Sequence, residues 1–124
     1  MATLDLDPNQ SSYQIRAFKP GMIQVNDKII TSSIIITPDE LIENWQPQTL
    51  QELTVQSLEP VIALKPDILL IGTGSKLIFP PLETYGHLIN LGIGVEVMDT
   101  SAACRTFNAL SAENRRVAAA LMLV

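Results

Sequence analysis

Pro66-Asp67-Ile68-Leu69-Leu70-Ile71-Gly72-Thr73-Gly74 is the stretch whose reading decides the fold. Ile68 to Ile71 is a continuous apolar run, as a strand covered on both faces requires. The elements around it follow in alternation. Downstream, Leu82, Tyr85, Leu88, Ile89 and Leu91 fall near helical spacing, and Gly92 is a fitting C-cap. Gly94 to Met98 reads as another strand, and Thr100 or Ser101 can cap a helix through Leu110. The last stretch, Arg116 to Val124, reads two ways. Its alanines favour helix by propensity, whereas its unbroken apolarity suits a central strand.

Upstream, the chain reads as a meander of short antiparallel strands. Tyr13 to Phe18 alternates, Lys19-Pro20-Gly21 is a turn, and Met22 to Val25 is a second strand. Asn26-Asp27-Lys28 turns the chain again, and Ile29-Ile30 starts the return. Ser32 to Thr37 is a β-prone run stopped by Pro38. Thr37 as N-cap with Pro38 at the first helical position predicts a short turn or helix carrying Leu41, Ile42 and Trp45. Gln48 to Ser57 is polar and without a clear pattern. A short helix follows through Leu64 with Pro60 in its first turn, and Lys65-Pro66 ends it because the residue before proline avoids the α region. Two β-α-β crossings after a meander predict an α/β fold with a central mixed sheet and helices on its faces. Residues 1–12 are polar apart from a few positions and read as an arm, leaving 13–124 as one domain.

Composition narrows the functions open to this chain. It has 124 residues, 47% apolar and 17% charged, enough for one real core. Net charge is −5, with no basic patch, so a nucleic-acid backbone is repelled over most of the surface. No apolar run approaches the ~20 residues of a membrane span, and Met1 to Asp7 has no signal-peptide or transit character. The expected compartment is the cytoplasm. A single cysteine, Cys104, excludes an internal disulfide and reads as a small apolar residue on a helix face. His87 is the only histidine and reads as surface. No metal-ligand spacing is present, and no cofactor is expected.

The carboxyl end of the central strand carries the candidate site. Gly72-Thr73-Gly74-Ser75 invites a dinucleotide reading, since glycines let phosphate approach backbone N–H groups beside a helix N-terminus. Position 77 is Leu rather than the third glycine, Pro80-Pro81 separates the turn from the next helix, and Lys76 follows too closely for a phosphate-loop lysine. The glycines then serve a sharp exit from the strand. That sheet edge is nevertheless where open α/β sheets place ligands. Asp99 and Thr100 end the next strand on the same edge, with Arg105 and Asn108 further along the helix. The candidate ligand or partner residues are therefore Gly72, Thr73, Gly74, Ser75, Asp99, Thr100, Arg105 and Asn108. The set suits an anion or carboxylate and contains no nucleophile paired with a base, so the reading leans away from an enzyme.

Several stretches in order carry a family resemblance. They include Ser33 to Pro38, Pro66 to Gly74, Gly92-Ile93-Gly94-Val95-Glu96-Val97-Met98-Asp99-Thr100, Thr106-Phe107-Asn108, and Glu113 through Leu121. The chain resembles the small α/β family that includes mitochondrial NADH:ubiquinone oxidoreductase (complex I) assembly factor 3 and many bacterial and archaeal proteins. The resemblance implies a three-layer domain with a central mixed sheet and a β-hairpin layer packed on it. It also implies a strand from about Arg116 to Leu123. No catalytic residues are carried over. The absence of a mitochondrial targeting segment favours a free-standing bacterial protein. The function expected is a non-enzymatic protein-interaction or assembly module, with respiratory-complex subunits among its partners and homo-oligomerisation open. The alternative is a small-molecule or anion binder at the Gly72-Thr73-Gly74 edge.

Overall fold

The computed structural model describes residues 12–124; the arm expected over residues 1–12 lies, except for Ser12, outside the described residues. Ile68 to Thr73 forms strand β6, an interior strand of a five-stranded sheet. Its partners are β7 (Gly94–Met98) and β8 (Val117–Met122), both parallel to it. Beyond β8 lies β4 (Ile34–Ile36), antiparallel, and then β5 (Leu41–Ile42), giving the order β5-β4-β8-β6-β7. A second, three-stranded antiparallel sheet holds β1 (Ile15–Lys19), β2 (Met22–Val25) and β3 (Lys28–Ile30). Among the described residues three α-helices complete the fold: α1 (Glu59–Leu64), α2 (Leu82–Asn90) and α3 (Thr100–Ala112).

The side-chain period of two sorts the central sheet into two cores. Ile34, Ile36, Leu70, Val117, Ala119 and Leu121 face one side, where they meet Ile15, Ile23, Val25 and Ile30 of the small sheet with Phe107 of α3. Ile35, Leu69, Ile71, Ala118, Ala120 and Met122 face the other, against Trp45, Leu58, Val61 and Leu88. The mixed α/β architecture is therefore three layers, with α1 and α2 on one face and α3 with the small sheet on the other.

β8 resolves the ambiguous C-terminus as a strand. Its three alanines have poor β propensity, but every residue of the strand is buried between β4 and β6. Position in the sheet overrides propensity here. Of the short turn or helix expected after Thr37, the turn forms and no helix follows it. The Thr37 hydroxyl accepts from the N–H groups of Asp39 and Glu40, closing a turn that sends Leu41-Ile42 back antiparallel to Ile36-Ile35. The cap chemistry is present, but pairing with β4 captures the apolar residues that follow. Trp45 is buried and its indole N–H donates to the Ser57 carbonyl at 2.8 Å. The unpatterned segment after it holds two short 3-10 turns, Leu50–Glu52 and Gln56–Leu58.

Gly72 shows why β6 ends as it does. A Cβ there would lie 2.8 Å from Leu121 Cδ2 and 2.9 Å from Thr100 Oγ1, with the Thr100 backbone at 3.1 Å. Only glycine lets the first turn of α3 sit directly on the strand. Gly72→Ala is expected to cost roughly 1–3 kcal/mol through overpacking, read as a lower midpoint in chemical denaturation with an unchanged slope.

Candidate functional site

The glycine turn after β6 is closed by the chain itself. Gly74 has φ +97, a conformation that glycine adopts without strain. Its N–H donates to Thr100 Oγ1 at 2.8 Å, and its carbonyl accepts from the Thr100 N–H at 2.8 Å. The same Thr100 hydroxyl donates to the Met122 carbonyl at 2.6 Å. Thr100 is fully buried, so one side chain joins the ends of β6 and β8 to the start of α3. The Ser75 N–H donates to the Val124 carbonyl at 2.7 Å. The Thr73 hydroxyl, also buried, donates to the Lys76 carbonyl at 2.5 Å and accepts from the Ile78 N–H at 3.3 Å.

The N–H groups that an anion would need at Gly74 and Ser75 are thus spent inside the protein. Asp99, not Thr100 or Ser101, caps α3: its carboxylate accepts from the Ala102 N–H at 2.9 Å. Thr100 is the first helical residue, and its hydroxyl turns inward to the strands instead. The helix after the turn begins only at Leu82, as Pro80-Pro81 requires.

Arg105 and Asn108 lie elsewhere. They line a groove of about 140 Å³ between α3 and β1, with Ser101, Cys104 and residues 15–18. The Arg105 guanidinium donates to Ser101 Oγ at 2.8 Å. The Asn108 carboxamide accepts from the Ile15 N–H at 3.0 Å and donates to the Ile15 carbonyl at 2.7 Å, bonding β1 as a neighbouring strand would. The eight candidate residues therefore form two groups: a filled clamp of Gly72, Thr73, Gly74, Ser75, Asp99 and Thr100, and a separate groove holding Arg105 and Asn108.

A larger groove of about 430 Å³ opens at the amino ends of the parallel strands. Thr37–Glu40 and Arg115–Val117 line it, so acidic and basic side chains face the same space. Of the adjacent Arg115 and Arg116, Arg116 bonds Asp67 at 3.2 Å across the strand starts, at the surface. Nothing in the sequence pattern indicated that the Thr37 turn would meet them.

Cys104 is buried in the α3 core, and burial pushes its thiol up to about 12, with the Arg105 charge pulling the other way and Asp99 adding to the rise. His87 departs from the surface reading: it is half-buried, with both ring nitrogens shielded and without hydrogen-bond partners among the described residues. Among the described residues no group of side chains has metal-ligand geometry, and no helix is long and apolar enough to cross a membrane.

Leu82, Ile89 and Leu91, which helical spacing picked out, are exposed, together with Leu77 to Phe79, which no pattern marked. Leu77, Ile78 and Phe79 are 51%, 45% and 68% exposed, and lead into α2, where Leu82 and Ile89 are 61% and 48% exposed. Leu82 and Ile89 are two turns apart, on one helix face with Gly86 between them. Leu91, just past the helix, is 60% exposed.

The family described as "Protein of unknown function (DUF498/DUF598)" matches residues 15–122. The chain is 30% identical over 118 residues to the 13 kDa major membrane protein of Francisella tularensis subsp. holarctica, covering 94% of this chain and 96% of that one. It is 33% identical over 110 residues to NADH dehydrogenase (ubiquinone) 1 alpha subcomplex assembly factor 3 of Danio rerio. That match covers 87% of this chain and 63% of the fish protein's length. The crystal structure of a Bordetella parapertussis protein superposes with a TM-score of 0.86 at 35% identity, over 92% of this chain and 98% of that one.

Thr100→Val keeps the shape but leaves the Gly74 N–H and the Met122 carbonyl buried and unpaired. It should cost roughly 2–4 kcal/mol, while Thr100→Ser retains most of the stability; urea unfolding of both variants checks this. For Cys104, the unfolded thiol ionises near its ordinary 9.0 while the folded one stays protonated towards 12. Its contribution to stability is therefore intact below pH 9 and lost as pH rises towards 12. The native thiol should resist alkylation at pH 8, and Cys104→Ala should flatten the alkaline decline measured by denaturation at pH 9 to 11.

Proposed function

The chain belongs to the DUF498/DUF598 family, and from that premise we propose that it is a non-enzymatic protein-docking module of the assembly-factor kind. The observation that carries the reading is the exposed apolar face of α2 and the loop before it. Leu77, Ile78, Phe79, Leu82 and Ile89, with Leu91 just past the helix, together expose on the order of 500 Å² of apolar surface. One side of a standard protein interface covers about 800 Å², so a partner would bury this face together with a polar rim. Phe79 is the natural anchor: it is the most exposed of the six and an aromatic held next to two prolines.

The relatives support the kind of partner. One is named for assembly of NADH dehydrogenase and another as a major membrane protein, so subunits of a membrane respiratory complex are the first candidates. The face lies on an ordered helix, which favours docking of preformed surfaces. Anion binding at the glycine turn has less support, because the clamp already uses the donors that such a ligand would take.

The full chain, immobilised, is exposed to detergent-solubilised host membranes, and complex I subunits are quantified in the eluate by mass spectrometry. Wild type should enrich them, and Phe79→Asp with Leu82→Asp should lower recovery about tenfold or more. Both side chains are exposed, so thermal unfolding of the double variant should match wild type within about 0.5 kcal/mol. No enrichment over an empty matrix, or equal recovery by the variant, rejects the reading.

A further inference from the structure

The groove between β1 and α3 lies on the opposite side of the five-stranded sheet from α2, and it has the parts of a strand-addition site. In the first hairpin, a two-residue turn at Pro20-Gly21 makes Lys19–Met22 a hydrogen-bonded pair. By alternation, Phe18–Ile23 is not such a pair. Ile23 is turned the other way, to Ile30, as the register from the Asn26-Asp27 turn requires. The N–H and C=O of Phe18 therefore point away from β2, to the outer edge of β1.

That edge is already used once. At Ile15 the Asn108 carboxamide takes both backbone groups, doing the work of a peptide bond in a neighbouring strand. Beyond Ile15 the edge runs on through the exposed Arg16 and Ala17, facing the Ser101–Cys104–Arg105 stripe of α3. The space of about 140 Å³ is the size for one or two side chains, not for a cofactor. Two cations line it, Arg16 and Arg105; neither forms an ion pair among the described residues, and Arg105 donates only to the Ser101 hydroxyl. Asp99, the carboxylate that Cys104 feels, is engaged in capping α3. In a chain of net charge −5, two arginines without a carboxylate partner over an open strand edge select an acidic strand.

We infer that this groove takes an extended acidic segment of a partner protein, which pairs with the β1 edge at Phe18 while Arg16 and Arg105 bind its carboxylates. Main-chain pairing supplies the affinity and the two cations the selectivity, as in other complexes formed between an edge strand and a helix. The surface is additional to the apolar face of α2 and does not depend on it.

The probe is a fluorescein-labelled hexapeptide of alternating glutamate and valine, titrated into the ¹⁵N-labelled full chain. Saturable binding should shift the amide signals of Ala17, Phe18 and Arg105. Arg16→Glu with Arg105→Glu should weaken it about tenfold or more with unchanged thermal unfolding, and a lysine–valine peptide should not bind. Two N-methylated versions, blocking alternate backbone nitrogens, separate strand pairing from charge: one of them must lose binding. The inference is overturned by absence of binding up to about 1 mM, by equal binding of both N-methylated peptides, or by shifts confined to α2. Equal shifts with free glutamate would also overturn it, reducing the groove to a simple anion site.

Discussion

The Thr100 hydroxyl is the interaction on which the rest of this structure depends. It accepts from Gly74 and donates to Met122, so that β6, β8 and α3 meet at one buried oxygen. A helix can start there only because Gly72 has no side chain to hold it off. With α3 fixed at its first residue, Phe107 reaches the core beneath the small sheet and Asn108 reaches the edge of β1. The second sheet is tied again at its hairpin, where the Gly21 N–H donates to the Leu123 carbonyl. A turn that resembles a ligand loop is thus the joint between the layers.

The clamp also explains how surface is distributed. On the α3 side, the small sheet covers the central strands and leaves one strand edge and a shallow, positively lined groove. On the other side, α1, α2 and the segment around Trp45 fill the core but leave the outer face of α2 bare. Burying Leu88 requires one face of α2 to point inward; Leu82 and Ile89 lie off that face and remain largely exposed. Apolar residues at such positions cost solubility, which is why the proposed function places a partner there.

Much of the fold was legible because local chemistry and tertiary structure agreed. Ile68 to Ile71 read as a doubly covered strand, Lys65-Pro66 as the end of a helix, and Gly92 as a fitting C-cap, and each holds. Lys65 does adopt a left-handed conformation at φ 52, as does Asn114 at φ 61 before β8. Where the two disagreed, the local signal misled. Thr37-Pro38 has helix-start chemistry, but pairing with β4 made Leu41-Ile42 a strand. Ala118-Ala119-Ala120 favours helix by propensity, and the family resemblance, not periodicity, identified it as β8. Thr100 was read as a cap, but Asp99 does that work and frees Thr100 for the strands.

The sequence by itself determined the class of fold, the two crossings, and six of the eight residues expected near the end of β6. These follow from apolar periodicity, from proline and glycine geometry, and from charge, all of which act over a few residues. Only the tertiary structure decided what the gathered residues do. Whether Gly74 offers its N–H to a ligand or to Thr100 depends on how closely α3 approaches β6, a distance set by Leu121 and the missing Cβ of Gly72. Whether Phe79 and Leu82 are core or surface depends on which face of α2 the sheet covers. Both are long-range packing outcomes, and no local pattern encodes them.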